Sequence, residues 1–147
     1  MSKDDALSFA VTPRVRDTCL CLHVQRAARA VARRYDEALR PVGLTNGQFS
    51  LMMALNRPQA PTMRDVAALL AMDRTTLTAN LKPLQRRGLV VVGEDTADRR
   101  YRRMSLTAEG RAVLAAALPI WERAQAENAS RLEGEPGALL ANLRALS

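Results

Sequence analysis

The sequence predicts a mainly helical fold with one small β-hairpin, and three observations support that prediction. Apolar residues recur at helical spacing through most of the 147-residue chain. Five residues are aromatic (Trp 1, Tyr 2, Phe 2), so Leu, Val, Ala and Met must build the core, a composition that suits packed helices. One β-branched run, Leu89–Val92, is followed by a polar turn and a second strand-like stretch, which indicates a hairpin.

A long first helix is predicted over residues 13–41, after an irregular arm of residues 1–12. Thr12-Pro13 is typical of a helix start, and the segment 41–43 (Pro-Val-Gly) of a helix end. The apolar residues of this helix form one stripe: Leu20, Val24, Ala27, Ala28, Val31, Tyr35 and Leu39. Because so short a chain cannot cover so long a stripe, we expect a second subunit to bury part of it.

Three shorter helices are predicted between residues 45 and 88. Thr45 and Gln48 form a capping-box pattern for the first of them. Thr62 caps the second, and Asp73 caps the third, which stops at Gly88. The residues of the second and third helices that we expect to face inward are Val66, Leu69, Leu70, Leu77, Leu81 and Leu84.

After the third short helix, the sequence predicts the hairpin and then two more helices. The turn 93–98 and the stretch 101–106 complete the predicted hairpin. Thr107 starts a fifth helix, and after a break at Gly134-Glu135-Pro136 a last helix follows. The apolar residues of these two helices are Val113, Leu114, Ala117, Leu118, Trp121, Leu139, Leu140, Leu143 and Leu146.

The two helices of residues 62–88 are joined by a tight turn at residues 71–73, which is the helix-turn-helix pattern. In that pattern the second helix enters the major groove of DNA, where short polar and basic side chains contact base edges and phosphates. The residues predicted to point outward are Arg74, Thr75, Thr76, Thr78, Ala79, Asn80 and Lys82. A capped, solvated helix without a DNA partner has the same local pattern, so this stretch alone leaves both interpretations open.

Positive charge is concentrated in the same region. Residues 74–103 contain eight Arg or Lys and three acidic residues, a net +5 out of +7 for the chain. The hairpin tip, GEDTADRRYRR, includes Arg99 and Arg100, which could reach the minor groove beside the helix. A solvated charged turn is the alternative interpretation, but a helix-turn-helix followed by a basic hairpin favours DNA binding.

Three stretches of the chain together resemble the MarR family: RPVGLTNGQFSLMMAL, TMRDVAALLAMDRTTLTANLKPLQRRGLV and DTADRRYRRMSLTAEGR. The resemblance covers essentially the whole chain and implies one winged helix-turn-helix domain, 1–147. In it, 13–41 and 108–147 would be homodimerisation helices and 45–106 the lobe that binds double-stranded DNA. It further implies Arg100 at the wing tip in the minor groove, Asp98 as the acid that shapes the wing, and an effector pocket between the dimer helices and the lobe.

The two cysteines, Cys19 and Cys21, are too close together to frame a disulfide fold. Cys21 lies on the apolar stripe of the first helix, where plain core filling is one interpretation. The organic-hydroperoxide-sensing branch of the family has a reactive cysteine matched by Cys21, with two tyrosines that bond it. Tyr35 matches the first tyrosine, whereas Asn46 stands at the place of the second. Sensing of a small molecule through the pocket is therefore equally open.

Other classes of protein fit the sequence less well. With one histidine, His23, and with no nucleophile motif, glycine-rich phosphate loop or zinc-ligand spacing, we expect no enzyme, metal or cofactor. A sequence-neutral architectural DNA-binding protein would have basic residues spread more widely. The start MSKDDALSFAV does not resemble a signal peptide, and no membrane partner is expected. The sequence predicts a cytoplasmic regulator, a repressor, that binds a palindromic operator and is released by a small molecule or an oxidant.

Overall fold

Over residues 7–147, the computed structural model contains seven α-helices and one two-stranded antiparallel sheet. The helices are α1 (Val11–Thr18), α2 (Leu20–Leu39), α3 (Asn46–Ala54), α4 (Met63–Leu70), α5 (Arg74–Arg86), α6 (Ala108–Ala129) and α7 (Pro136–Ala145). The strands are β1 (Val90–Glu94) and β2 (Arg102–Leu106). The predicted fold class, mainly helical with a small hairpin, is therefore confirmed.

The chain divides into two compact units, of which the first ends at Arg34 and the second is Tyr35–Ser147. The described part of the first unit contains α1 and most of α2, and no residue in 7–34 is buried. The second unit contains the last turn of α2 and all later elements. Among the described residues, no helix is both long and apolar enough to cross a membrane.

The single helix predicted over residues 13–41 is wrong, because α1 and α2 are separate helices that meet at Cys19. Cys19 has an extended backbone, with ψ 110°. Its sulfur accepts a hydrogen bond from the backbone N–H of Leu22 at 3.5 Å, which is the geometry of a helix N-cap. The hydroxyl of Thr18 donates to the carbonyl of Arg14 at 2.7 Å, a local bond that competes with helix propagation.

The ends of this region also differ from the sequence-based expectation. Of the predicted arm, residues 1–6 lie outside the described residues, and α1 already begins at Val11. At the other end, α2 stops at Leu39 and is followed by a 3₁₀ turn, Arg40–Val42. Gly43 closes this turn with φ 68°, a left-handed conformation that favours glycine.

The helices of the second unit begin where their capping residues predicted. Thr45 and Gln48 form a complete capping box at α3. Thr62 and Asp65 do the same at α4, and the Asp73 side chain accepts a hydrogen bond from the Thr76 N–H at α5. These three caps set the starts of α3 and of the two helices of the helix-turn-helix, and so fix which side chains each helix exposes.

A single hydrophobic core joins α3, α4, α5, α6 and the hairpin. The rings of Phe49 on α3 and Trp121 on α6 stack with centroids 6.0 Å apart. The fully buried large side chains are Leu39, Leu51, Met52, Val66, Leu77, Leu84, Leu89, Val90 and Met104. Leu69, predicted to face inward, is instead exposed on α4.

The hairpin is tied to the segment before α4 through β2. β1 and β2 pair from Val90 with Leu106 to Glu94 with Arg102. The N–H of Met104 donates to the carbonyl of Pro61 at 3.0 Å, next to an isolated bridge between Thr62 and Arg103. The hairpin therefore has a fixed position relative to the start of α4.

Gly110 brings the first turn of α6 against the residue that precedes β1. A Cβ atom at this position would lie 2.0 Å from the carbonyl oxygen of Leu89, which is a clash with backbone. The Thr107 side chain, the N-cap of α6, also donates to the carbonyl of Gly88 at 2.6 Å. Glycine is therefore required for the close packing of α6 on this segment.

Candidate nucleic-acid interface

Helix α5 has one buried face and one exposed face. Leu77, Leu81 and Leu84 are buried at a spacing of three to four residues. The residues on the opposite side are exposed: Thr75, Ala79, Lys82 and Arg86. Two short polar or small side chains followed by two basic ones form a surface that can enter a DNA groove and contact phosphates.

The structure separates the residues predicted to contact DNA on α5 into two groups. Arg74, Thr75, Thr76 and Lys82 are exposed, as expected for a helix that reads a groove. Thr78 and Asn80 are half-buried, because they lie beside the buried leucines rather than opposite them.

Asn80 has its side chain turned towards the start of α3. Its amide nitrogen donates to the carbonyl of Thr76 at 3.1 Å. Its Oδ1 would lie 3.1 Å from a Cβ at Gly47, so the glycine leaves the room that the amide occupies. Asn80 is therefore half-buried rather than fully outward, and its contact with DNA stays a prediction.

Asp73 fixes the position of the exposed threonines at the start of α5. Its carboxylate accepts a hydrogen bond from the Thr76 N–H at 2.7 Å. This bond holds the pKa of Asp73 below its ordinary value, because it stabilises the charged form. A charge-assisted hydrogen bond therefore fixes the residue at which α5 begins.

The tip of the hairpin is organised by Asp98. Its carboxylate accepts the backbone N–H of Arg100 at 3.0 Å and the Arg100 guanidinium at 2.8 Å. These bonds lower the pKa of Asp98 and raise that of Arg100. The side chain of Arg100 is 84% exposed and that of Asp98 31%, so the acid aligns a cation that faces solvent. Arg99 beside them is also exposed.

A second ion pair braces the hairpin, and the sequence reasoning missed it. The guanidinium of Arg103 donates to Asp95 Oδ2 at 3.1 Å and to the carbonyl of Ala60 at 2.6 Å. The carboxylate of Asp95 also accepts the Ala97 N–H at 3.1 Å. The bond from Ala97 and the bond from Arg103 both lower the pKa of Asp95. Arg103 thus joins the hairpin turn to the loop before α4. The sequence shows an excess of arginine at the hairpin tip. It does not show which of these arginines brace the hairpin and which are exposed.

Arg87, which follows α5, forms a clamp on the turn after α2. Its guanidinium donates to the carbonyl of Gly43 at 2.6 Å and to that of Val42 at 3.3 Å. These bonds join residues more than 40 positions apart in the sequence. They connect the C-terminal end of α5 to the end of the α2 segment.

The candidate redox residues occupy separate surroundings. Cys21 is exposed, and its sulfur accepts a hydrogen bond from the Gln25 side chain at 3.4 Å. The hydroxyl of Tyr35, in the second unit, donates to Oε1 of Gln125 on α6. Burial raises the pKa of Tyr35, and a hydrogen bond with Asn128 opposes that rise. Asn46, at the place of the family's second tyrosine, bonds to Asp36 through its backbone and its side chain.

Comparison with known proteins identifies the family of this fold. A sequence model of the MarR family matches residues 42–100 of this chain, from the turn after α2 to the hairpin tip. The transcriptional regulator HosA of Escherichia coli O111:H- is 39% identical over 102 residues, which are 68% of this chain and 74% of HosA. The chain belongs to the MarR family.

Two MarR-type structures in complex with DNA are similar to this chain over most of their length. The regulator MosR of M. tuberculosis, in complex with DNA, is 41% identical, covers 87% of this chain and 92% of its own, and has a TM-score of 0.79. The repressor CouR, bound to a 23-mer DNA duplex, is 29% identical, with coverages of 90% and 94% and a TM-score of 0.78. The winged-helix fold and membership of a class of DNA-binding transcription regulators are thereby confirmed.

Proposed function

We propose that this chain is a sequence-specific transcriptional repressor that binds a palindromic operator as a homodimer and is released by a chemical signal. The observation that supports it most is the pair of DNA-facing elements in one unit. Helix α5 exposes Thr75, Thr76 and Lys82, and the hairpin presents Arg100 aligned by Asp98. In this proposal α5 reads the major groove and Arg100 enters the adjacent minor groove.

The homodimer is supported by apolar surface at both ends of the chain. Large hydrophobic side chains that a lone subunit leaves exposed lie on α1, α2, α6 and α7 and next to them: Val15, Leu20, Val24, Leu118, Leu132, Leu139, Leu140 and Leu146. Leu20 is 70% and Leu146 63% exposed. So many exposed leucines in the terminal helices fit a second copy of the chain packed against them. In the proposal, 13–41 and 108–147 supply the dimer contacts and 45–106 the DNA contacts.

A two-fold dimer implies a two-fold operator. Two copies of α5 related by symmetry would meet two half-sites in opposite orientation, about one helical turn apart. The competing proposal is an architectural protein that binds any duplex. The two differ in what they protect on DNA, because a repressor covers one short inverted repeat and an architectural protein covers DNA continuously.

Two kinds of signal fit the chain. CouR from Rhodococcus jostii RHA1 has been seen bound to p-coumaroyl-CoA, so a small organic molecule is one candidate. The exposed thiol of Cys21 is the basis of the other, an oxidant. A repressor that acts on DNA would work in the cytoplasm with either signal.

Selection from random DNA tests the proposed function. The wild-type protein is incubated with a pool of random duplexes, and bound molecules are sequenced after several rounds. We expect an enriched inverted repeat with half-sites about one helical turn apart. A pool that stays random while the protein binds it tightly would favour the architectural alternative.

Light scattering tests the assembly. We expect the mass of two 16.1 kDa chains at micromolar concentration. Leu140→Glu, which places a charge on the exposed leucine surface of α7, should shift the protein towards the monomer. Gln59→Glu, which adds the same charge at an exposed position in the loop before α4, is the matched control. A stable, folded wild-type monomer would contradict the homodimer.

A further inference from the structure

A cleft of about 460 Å³ lies between the start of α4, the start of α5 and the hairpin. Four arginines line it: Arg64 from α4, Arg74 from α5, and Arg100 and Arg102 from the hairpin. Met63 and Tyr101 contribute apolar surface to its wall. We call this space the arginine cleft. It brings together cations from three different elements of the second unit.

The protein balances the charge of the arginine cleft only in part. Arg100 is paired with Asp98. Within residues 7–147, the side chains of Arg64, Arg74 and Arg102 make no hydrogen bond or ion pair with another residue. No acidic residue lines the cleft. Because like charges repel, three unpaired guanidinium groups around one space favour an anion between them.

The chemistry of the lining selects the kind of anion. Guanidinium groups bind phosphate oxygens in a bidentate manner, more specifically than an ammonium group would. The apolar surface of Met63 and Tyr101 can lie against a sugar ring, which a bare inorganic ion does not offer. A phosphodiester with its attached deoxyribose uses both parts of the wall.

The position of the arginine cleft points to the same ligand. In the proposed complex α5 lies in a major groove and the tip of the hairpin in the adjacent minor groove. One sugar-phosphate strand separates those two grooves, so it has to pass between α5 and the hairpin. The arginine cleft occupies that space.

We infer that the arginine cleft holds the backbone strand between the two grooves, with Arg64, Arg74 and Arg102 as phosphate contacts. This inference rests on the proposed function and adds contact residues to it, since Arg64 and Arg102 were not among the residues predicted to bind DNA. Phosphate contacts position the protein on the duplex without reading sequence. Losing them should weaken binding to every duplex by a similar factor and should reduce its dependence on salt.

The test is fluorescence anisotropy with two duplexes over a range of chloride concentrations. One duplex is selected by the wild-type protein from random DNA, and the other is a scrambled duplex of the same length. The variants are Arg64→Ala, Arg102→Ala and the double variant, and Arg64→Lys and Arg102→Lys, which keep the charge at each position, are the matched controls. Thermal unfolding monitored by circular dichroism shows that each variant is folded.

Each arginine removed from the cleft should reduce the slope of log K against log salt by about 0.9, and the double variant by about twice that. The ratio of affinities for the two duplexes should stay constant. Arg64→Lys and Arg102→Lys retain the charge and should recover the slope, which separates a phosphate contact from a folding defect. An unchanged slope in the double variant, or a loss confined to the selected duplex, would overturn the inference.

Replacing chloride with inorganic phosphate at equal ionic strength separates the two sources of phosphate. We expect phosphate to compete weakly with DNA for the wild type and less for the double variant. If phosphate binds in the cleft while the salt slope for DNA is the same in both proteins, the cleft is a site for a free anion and the inference fails. If the wild type binds both duplexes equally but the slopes change as expected, the proposed sequence-specific function fails and the inference stands.

Discussion

The carboxylate of Asp36 on α2 accepts two hydrogen bonds from Asn46 at the start of α3. The backbone N–H of Asn46 donates to Oδ1 at 2.7 Å and its side-chain amide donates to the same oxygen at 2.8 Å. Asn46 is the first residue of α3, where backbone N–H groups have no partner within the helix. The end of α2 therefore supplies a partner for the start of α3.

Asp36→Ala should lower the free energy of unfolding by about 1–3 kcal/mol, because it leaves two half-buried donors of Asn46 without their acceptor. The measurement is urea unfolding followed by circular dichroism. Glu37→Ala, a change at the exposed neighbouring position, is the control and should have almost no effect. Equal stability of the two variants would show that the Asp36 bonds contribute nothing net.

Gly110→Ala should destabilise the protein by about 1–3 kcal/mol, because the added methyl group meets the carbonyl oxygen of Leu89. Backbone on both sides must move apart to admit it. Gly137→Ala on α7 is the control, since no atom lies within 4 Å of its Cβ position. A Gly110→Ala protein as stable as wild type would mean that α6 can shift without cost.

Arg100→Ala should weaken binding to all duplexes and remove a preference for A·T-rich flanks, because a narrow minor groove attracts arginine. Asp98→Ala should have a smaller effect in the same direction, since Arg100 keeps its charge but loses its alignment. In a double-mutant cycle the two effects should not add. Operator binding by Arg100→Ala that equals wild type would refute the role of the hairpin tip.

Thr76→Ala should relax the preference for particular base pairs by about 1–3 kcal/mol, because Thr76 is exposed on the proposed reading face. Asn80→Ala should leave base preference unchanged and affect stability instead, because its amide is bonded to Thr76 O and packs near Gly47. Selection from random DNA with each variant gives the preferences directly. A change of preference in Asn80→Ala alone would reverse this assignment.

Asp98 should titrate below its ordinary pKa of 3.8 in the folded protein, because the Arg100 side chain stabilises its charged form. Its depressed pKa means that the hairpin contacts are complete above pH 3.8 and are lost as the pH falls through the folded-state value. Carbon-13 NMR of the carboxyl group measures this. In Arg100→Ala the pKa of Asp98 should rise towards 3.8, whereas that of Asp65, bonded to Thr62, should not move.

An organic hydroperoxide should reduce operator binding by the wild type and by Cys19→Ser, but not by Cys21→Ser. The Cys21 sulfur would attack the peroxide and break its O–O bond, so that the thiol becomes a sulfenic acid and the leaving oxygen takes the thiol proton and departs as an alcohol. Anisotropy before and after treatment, followed by reduction with a thiol, measures the effect. Equal binding by all samples would assign the signal to a small molecule instead.

Local features of the fold were predictable from the sequence. The caps at Thr45, Thr62, Asp73 and Thr107 depend on residues three positions apart, and all four begin helices in the structure. The change from helical to alternating spacing after Gly88 located the hairpin.

Features that depend on distant residues were not predictable. The bond from Arg103 to Ala60 joins positions 43 residues apart, and no local pattern distinguishes Arg103 from Arg102 or Arg100. Asn80 turns inward because residue 47 happens to have no side chain. The break at Cys19 depends on a sulfur acting as a helix cap, which weakly polar groups seldom do.

The clamp of Arg87 on Gly43 and Val42 links α5, the helix that we propose reads DNA, to the turn at the end of α2. A tilt of α2 that displaces this turn must either drag the rear of α5 with it or break two charge-assisted hydrogen bonds. Because α5 is a rigid helix, a small displacement of its C-terminal end about its packed centre moves its N-terminal end in the opposite direction. The angle at which α5 would enter a groove can thus be changed through its C-terminal end, without any change in the residues proposed to contact DNA.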